Sequence, residues 1–179
     1  MKLKADKDIT LQKVRIKSAK EIFNCIDGSR DYLREWLSFV DQTKSWEDTK
    51  KYIRSIKEAR GALKNLVFEV RYRDKIVGLI GLKDIDLMNN KAEIGYWLIK
   101  EAVGKGIMTR SCAALLNYAF DRLKLNKIWI RCAVENTRSC NIPKQMGFSF
   151  EGIERQGEMI NGRYHDLKVY SLLRKEWKK

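Results

Sequence analysis

The 179-residue chain has one histidine, one proline and four cysteines (Cys25, Cys112, Cys132, Cys140), none of them in a CxxC pair. One imidazole and scattered thiols supply too few ligands at the right spacing for zinc, so no metal is expected. The same cysteines fit free thiols in a reducing cytoplasm better than a disulfide framework. No segment approaches the roughly 20 apolar residues of a membrane span, and no membrane partner is expected. The opening residues, MKLKADKDITLQ, lack the apolar core of a signal peptide. Repeats, linkers and low-complexity stretches are also missing. One domain over residues 1–179 is the simplest organisation. Acidic residues are few: 23 against 37 basic ones, a net charge of +14. Such a charge favours polyanionic partners. The lysines are spread, however, and the only dense basic run is the tail from Arg174-Lys175 to Lys178-Lys179. No nucleic-acid motif accompanies them, so direct nucleic-acid binding is not expected as the main function.

What is present is enough for a core. Hydrophobic residues make up 44% and aromatic residues 10% of the chain, which argues against disorder. Ile9 to Ile16 alternates as a first strand. Ser18 stands before a helix with Ile22, Phe23 and Ile26 inward, and Gly28 breaks it. Tyr32, Leu33, Trp36 and Leu37 form a second short stripe. Ser45 opens a third helix with Trp46, Ile53 and Ile56 inward and Gly61 as its stop. Asn65 to Tyr72 and Lys75 to Ile85 read as a hairpin. Ala92 to Ile99 is the next strand, followed by a long helix to about Leu123. Lys127 to Val134 is a strand, and a short helix from about Asn136 to Met146 ends at Gly147. Phe148 to Gln156 and Tyr164 to Leu173 close the chain, with Asn161-Gly162 as a hairpin turn. The order predicts an α/β chain with a mixed sheet flanked by helices.

The stretch from Tyr96 to Phe120 organises the rest. Ile94, Tyr96 and Leu98 alternate; Gly104-Lys105-Gly106 interrupts; then Met108, Cys112, Leu115, Leu116, Ala119, Phe120 and Leu123 recur at helical spacing. A strand passing through a glycine turn into a helix aims unpaired N–H groups and the positive end of the helix dipole at one spot. Such a spot binds anions, phosphates above all. Neither GxxxxGK[ST] nor GxGxxG fits, since Thr109 stands where the third glycine would be. From spacing alone, an ordinary tight connection remains an equal alternative.

The run IGYWLIKEAVGKGIMTRSCAALLNYAF resembles the acetyl-coenzyme A loop of the GCN5-related N-acetyltransferases (GNAT), written Arg/Gln-x-x-Gly-x-Gly/Ala. Its positions fall on Val103, Gly104, Lys105, Gly106, Ile107 and Met108, with Thr109 next in the helix. Val103 and Met108 depart from the pattern, while Gly106 matches. The GKGIMT form is similar to the RimJ/RimL-like branch that acetylates ribosomal-protein N-termini. The segment ENTRSCNIPKQMGF resembles the family's second pattern through Asn136, Ser139, Gly147 and Phe148; Gln145 departs from it. The tyrosine that many members carry as general acid is replaced here by Pro143. GEMINGRYHDLKVYSLL resembles the same branch through Glu158, Asn161, Gly162, His165 and Asp166.

The resemblance implies a GNAT fold, with a mostly antiparallel sheet of about seven strands, and acetyl-CoA as the acetyl donor. It implies that residues 103–109 hold the diphosphate and that Asn136 bonds the pantetheine arm. Glu158 would act as general base and Ser139 as general acid, with a backbone N–H near Ile99 or Lys100 polarising the thioester. Read without the resemblance, Asn136 is more simply a helix cap and Ser139 an ordinary polar residue of the first turn. His165 is weighed as a packed strand residue before a catalytic one. At pH 7 a chain terminus needs roughly 1 kcal/mol to become neutral, whereas lysine needs more than about 4. The expected acceptor is therefore a protein or peptide N-terminus, as on a ribosomal protein, attacked directly in a ternary complex. A polyamine or aminoglycoside acetyltransferase and an inactive basic RNA-binding module are the alternatives. The oligomeric state stays open, a homo-oligomer included.

Overall fold

The computed structural model describes residues 1–58 and 64–178; the expected stop at Gly61 lies outside them. Eight strands form one sheet in the order β1-β2-β3-β4-β5-β6-β8-β7. These are β1 (Lys2–Lys4), β2 (Ile9–Lys13), β3 (Leu66–Tyr72), β4 (Lys75–Asp86), β5 (Lys91–Leu98), β6 (Lys127–Ala133), β7 (Ser149–Ile160) and β8 (Arg163–Leu173). The short edge strand β1 is the one that the sequence pattern did not resolve. The helices are α1 (Ala19–Gly28), α2 (Arg30–Leu33), α3 (Trp46–Glu58), α4 (Ile107–Asp121) and α5 (Thr137–Gln145).

Each face of the sheet is covered at its centre, while β7 at its edge is largely exposed. β4 is consequently buried in an unbroken run from Ile76 to Leu82 rather than alternating. One core sets Phe68, Ile80, Leu82, Ala92 and Ile94 against α4 through Cys112, Leu115, Leu116, Ala119 and Phe120. The helical spacing of those α4 residues produces this buried face. The second core sets Val67, Ile76 and Leu79 against Ile22, Ile26 and Ile53 of α1 and α3. Trp46, expected to face inward, is 37% exposed and lies under Lys50 instead.

One irregularity places the site. Among the described residues β5 and β6 are the only adjacent strands that run parallel, and they pair only at Lys91–Lys127, Ala92–Ile128 and Glu93–Trp129. Beyond that point both strands continue but separate. β5 stays with β4 as far as Leu98, and β6 stays with β8 as far as Ala133. At the fork Glu93 is buried, and one of its carboxylate oxygens accepts from Trp129 Nε1 at 3.2 Å and from Arg131 Nη2 at 2.8 Å. Lys83 Nζ lies 2.9 Å from the other oxygen. A buried carboxylate without such partners would be costly, so this cluster ties the strands together where their ladder ends. Among the described residues no helix is long and apolar enough to cross a membrane.

Candidate active site

The fork opens into a cleft of about 480 Å³. Val103, Gly104, Gly106, Ile107, Met108 and Thr109 form one side, and Asn136, Arg138, Ser139 and Gln145 of the α5 segment form the other. Tyr96, Trp97 and Leu98 make the wall between them, and Trp36 and Leu37 overhang it.

The glycine corner is built from backbone. Gly104 and Gly106 take left-handed φ values of 78° and 65°. A Cβ on Gly104 would meet nothing within 4 Å, and one on Gly106 only the Arg110 side chain at 3.9 Å. These glycines are therefore needed for backbone shape, and the space above them is open. The first backbone bond at the start of α4 runs from Arg110 N–H to Gly106 O at 3.2 Å. Among the described residues, no bond is donated by the N–H groups from Gly104 to Thr109. Six successive donors beside the positive end of α4 form an anion seat. Among the described residues, Arg138 is the only ionised side chain lining the cleft, and no carboxylate there opposes an anion.

Lys105 does not line the cleft. Its carbonyl, with that of Gly106, accepts from the Arg110 guanidinium at 2.9 and 3.2 Å. The third arm of Arg110 pairs with Asp6. Burial alone would raise the Asp6 carboxyl, but the N–H groups of Asp8 and Ile9 and the Arg110 pair outweigh it and hold it low. Arg110 thus grips the carbonyl side of the corner, which leaves the N–H side turned to the cleft. Sequence reasoning missed this clamp because its two ends, Asp6 and Arg110, lie in distant segments.

Ile99 does not line the cleft either. Its N–H donates to Val77 O at 2.9 Å, and that of Lys100 to Ser29 Oγ at 3.3 Å. Both amides expected to polarise a thioester are therefore engaged. N–H groups alternate in direction along a strand. With Ile99 turned to β4, Tyr96 and Leu98 turn theirs towards the gap that β6 has left. Those two amides are better placed for the role.

Asn136 caps α5, accepting from Ser139 N–H at 3.0 Å through its side-chain oxygen. Asn136 lines the cleft, and its amide NH₂ has no described partner. Ser139 faces the cleft from the first turn of α5, and its hydroxyl donates to Tyr96 Oη at 3.3 Å. Burial pushes the Tyr96 phenol well above its ordinary range, and the thiols of Cys112, Cys132 and Cys140 add to the shift. Sequence reasoning overlooked Tyr96. Its signal was the YW pair, which puts large aromatics on both faces of one strand.

Glu158 is not in this cleft. It lines an adjoining cavity of about 580 Å³ on the α1 and α3 side of the sheet. The two cavities share Leu37, Tyr96 and Trp97 as a wall. The predicted base and acid thus lie on opposite sides of that wall. His165 stands opposite Glu158 in the β7–β8 ladder. It packs edge-on against Trp36 at 6.3 Å, with Nδ1 3.5 Å from Glu135. It thus packs against an aromatic that lines the cleft. Among the described residues, no cluster of His, Cys, Asp or Glu is placed to hold a metal.

Residues 8–149 match the family described as "Acetyltransferase (GNAT) domain". The chain is 37% identical over 97% of its length to "Putative ribosomal N-acetyltransferase YdaF" of Bacillus subtilis (strain 168), covering 96% of that protein. It is 29% identical to "Ribosomal-protein-serine acetyltransferase" of Escherichia coli (strain K12), over 94% of each chain. Its fold is similar to a crystal structure of the microcin self-immunity acetyltransferase MccE in complex with acetyl-CoA and AMP. That match has a TM-score of 0.88 at 26% identity, over 94% of each chain.

Proposed function

From the premise that this chain belongs to the GNAT acetyltransferases and is an acetyl-CoA-dependent N-acetyltransferase, we propose that its acceptor is the α-amine of a protein N-terminus, of the ribosomal-protein type. The observation that carries the reading is the run of unpaired N–H groups from Gly104 to Thr109 at the mouth of the fork. The diphosphate of acetyl-CoA sits on these donors. The pantetheine arm runs along the gap between β5 and β6, where the Asn136 amide meets it. The thioester then reaches the wall formed by Tyr96 and Trp97.

The chemistry divides across that wall. Glu158 receives the proton of the incoming amine in the second cavity. The nitrogen attacks the thioester carbon directly, since among the described residues no nucleophilic side chain stands in a triad-like setting. Negative charge on the carbonyl oxygen is met by the N–H groups of Tyr96 or Leu98. Ser139 gives its proton to the departing sulfur. Holding the reactants in two cavities that meet at one wall supplies proximity without a covalent intermediate. An α-amine suits a carboxylate base, needing roughly 1 kcal/mol to be neutral at pH 7 against more than about 4 for lysine. We place the activity in the cytoplasm, where the four free cysteines stay reduced.

Incubation with acetyl-CoA and three acceptors tests this: a peptide with a free N-terminus, an N-terminally blocked peptide containing lysine, and spermidine. Mass spectrometry is expected to find acetyl on the free terminus alone. Acetylation of spermidine in preference to the peptide would overturn the acceptor assignment.

A further inference from the structure

Helix α5 has a proline in its interior, and the consequence reaches the cleft. In an α-helix the N–H of each residue bonds to the carbonyl four residues earlier. Pro143 has no N–H, so the carbonyl of Ser139 lacks its helical donor. The Tyr96 phenol replaces it, donating to Ser139 O at 3.1 Å. The Ser139 hydroxyl donates back to the same phenol oxygen at 3.3 Å. Two acceptors of one residue, its carbonyl and its hydroxyl oxygen, are therefore within reach of one phenolic hydrogen.

We propose that Tyr96 is the positioning residue for the proton donor: it turns the Ser139 hydroxyl towards the thioester sulfur by moving its own hydrogen bond from Ser139 O to Ser139 Oγ. The inference rests on the acetyl-transfer reading above. In the resting setting the serine hydrogen points at Tyr96. In the second setting the phenol donates to Ser139 Oγ, and the serine hydrogen is free to enter the cleft. Only two hydroxyl rotations separate the settings, and no backbone moves.

When the carbon–sulfur bond breaks, its electron pair leaves on sulfur. The sulfur takes the Ser139 hydrogen as solvent returns a proton to Oγ, so no full alkoxide persists, and the phenol's hydrogen bond supports the partial charge that develops there. The surplus proton of the nitrogen leaves through Glu158, so the count balances. Tyr96 itself stays protonated. Burial holds its phenol well above the ordinary range, which keeps the donor present at any working pH.

Tyr96→Phe removes only the phenolic oxygen. The expected result is a fall in kcat of about tenfold, a part of what a general acid contributes. The fall is the same at about pH 6.5 and about pH 9, and the KM for acetyl-CoA is unchanged. Ser139→Ala costs roughly a hundredfold. Adding Tyr96→Phe to it costs nothing further, because the phenol acts only through that hydroxyl. Unchanged kcat in Tyr96→Phe, losses that multiply in the double variant, or a raised KM with unchanged kcat would each overturn the proposal.

If the phenylalanine variant does not fold, Pro143→Ala supplies a second test. It restores the helical donor to Ser139 O and releases the phenol for Oγ, so kcat holds or rises; a fall counts against the proposal. A wild-type chain that acetylates no amine refutes the acetyl-transfer reading itself. That result is distinct from an active wild type with a silent Tyr96→Phe.

Discussion

The glycine corner and the tyrosine–serine wall border the same cleft, yet they are made of different material. The corner offers backbone N–H groups left open, with the Arg110 clamp confined to the carbonyl side. The wall offers side chains that already bond one another, Tyr96 to Ser139 in both directions. In the proposed reaction the corner would hold a ligand by what it leaves unsatisfied, and the wall would prepare a proton by what it satisfies in advance. Binding and turnover should therefore separate under mutation.

The largest effect is expected at the corner. Gly106→Trp puts an indole into the open space and forces a left-handed φ on a bulky residue. Calorimetry should find no measurable binding of acetyl-CoA, and unimpaired binding would remove the corner from the site. Next comes Glu158→Gln on the far side of the wall. Turnover should fall by about two orders of magnitude, most strongly at low pH where the acceptor amine is protonated, while the Kd for acetyl-CoA holds. Equal loss in binding would show that the two cavities do not divide the work.

Arg110→Gln is the third in size. It frees the carbonyls of Lys105 and Gly106, and with roughly 1.4 kcal/mol lost the Kd should rise about tenfold at unchanged kcat. Asp6→Asn should reproduce part of that rise, and the two changes should not add, since they act on one clamp. The smallest effect belongs to Gly104→Ala. Nothing lies within 4 Å of the new Cβ, so only the left-handed backbone is strained, by about 1–2 kcal/mol. A few-fold weaker binding is expected, and a loss as deep as that of Gly106→Trp would mean that the space is already filled.

The same contrast explains what could be read from the sequence. A corner between a strand and a helix is a local feature. Gly104, Gly106 and the apolar spacing of α4 announce it within some twenty residues. The helices and hairpins were legible for the same reason, down to the turns at Arg73-Asp74 and Asn161-Gly162, which take positive φ. The wall is not local. Tyr96 and Ser139 are 43 positions apart, and they meet only because β5 and β6 part after Glu93–Trp129. No periodicity signals where two paired strands separate. Pro143 was visible as a missing acid, but its other effect, an orphaned Ser139 carbonyl, required the position of Tyr96. That the Ile99 and Lys100 amides are already bonded within the fold was hidden for a related reason. Which side of β5 an N–H faces depends on the register with β4, fixed here by the bond from Ile99 to Val77.

The central claim is that the amides from Gly104 to Thr109 grip the diphosphate of acetyl-CoA. It is tested most directly by ¹⁵N-labelled protein titrated with acetyl-CoA while amide resonances are followed by NMR. The N–H signals of Gly104, Lys105, Gly106, Ile107, Met108 and Thr109 should move furthest and saturate together at the calorimetric Kd. Saturable binding that leaves these six signals in place would contradict it.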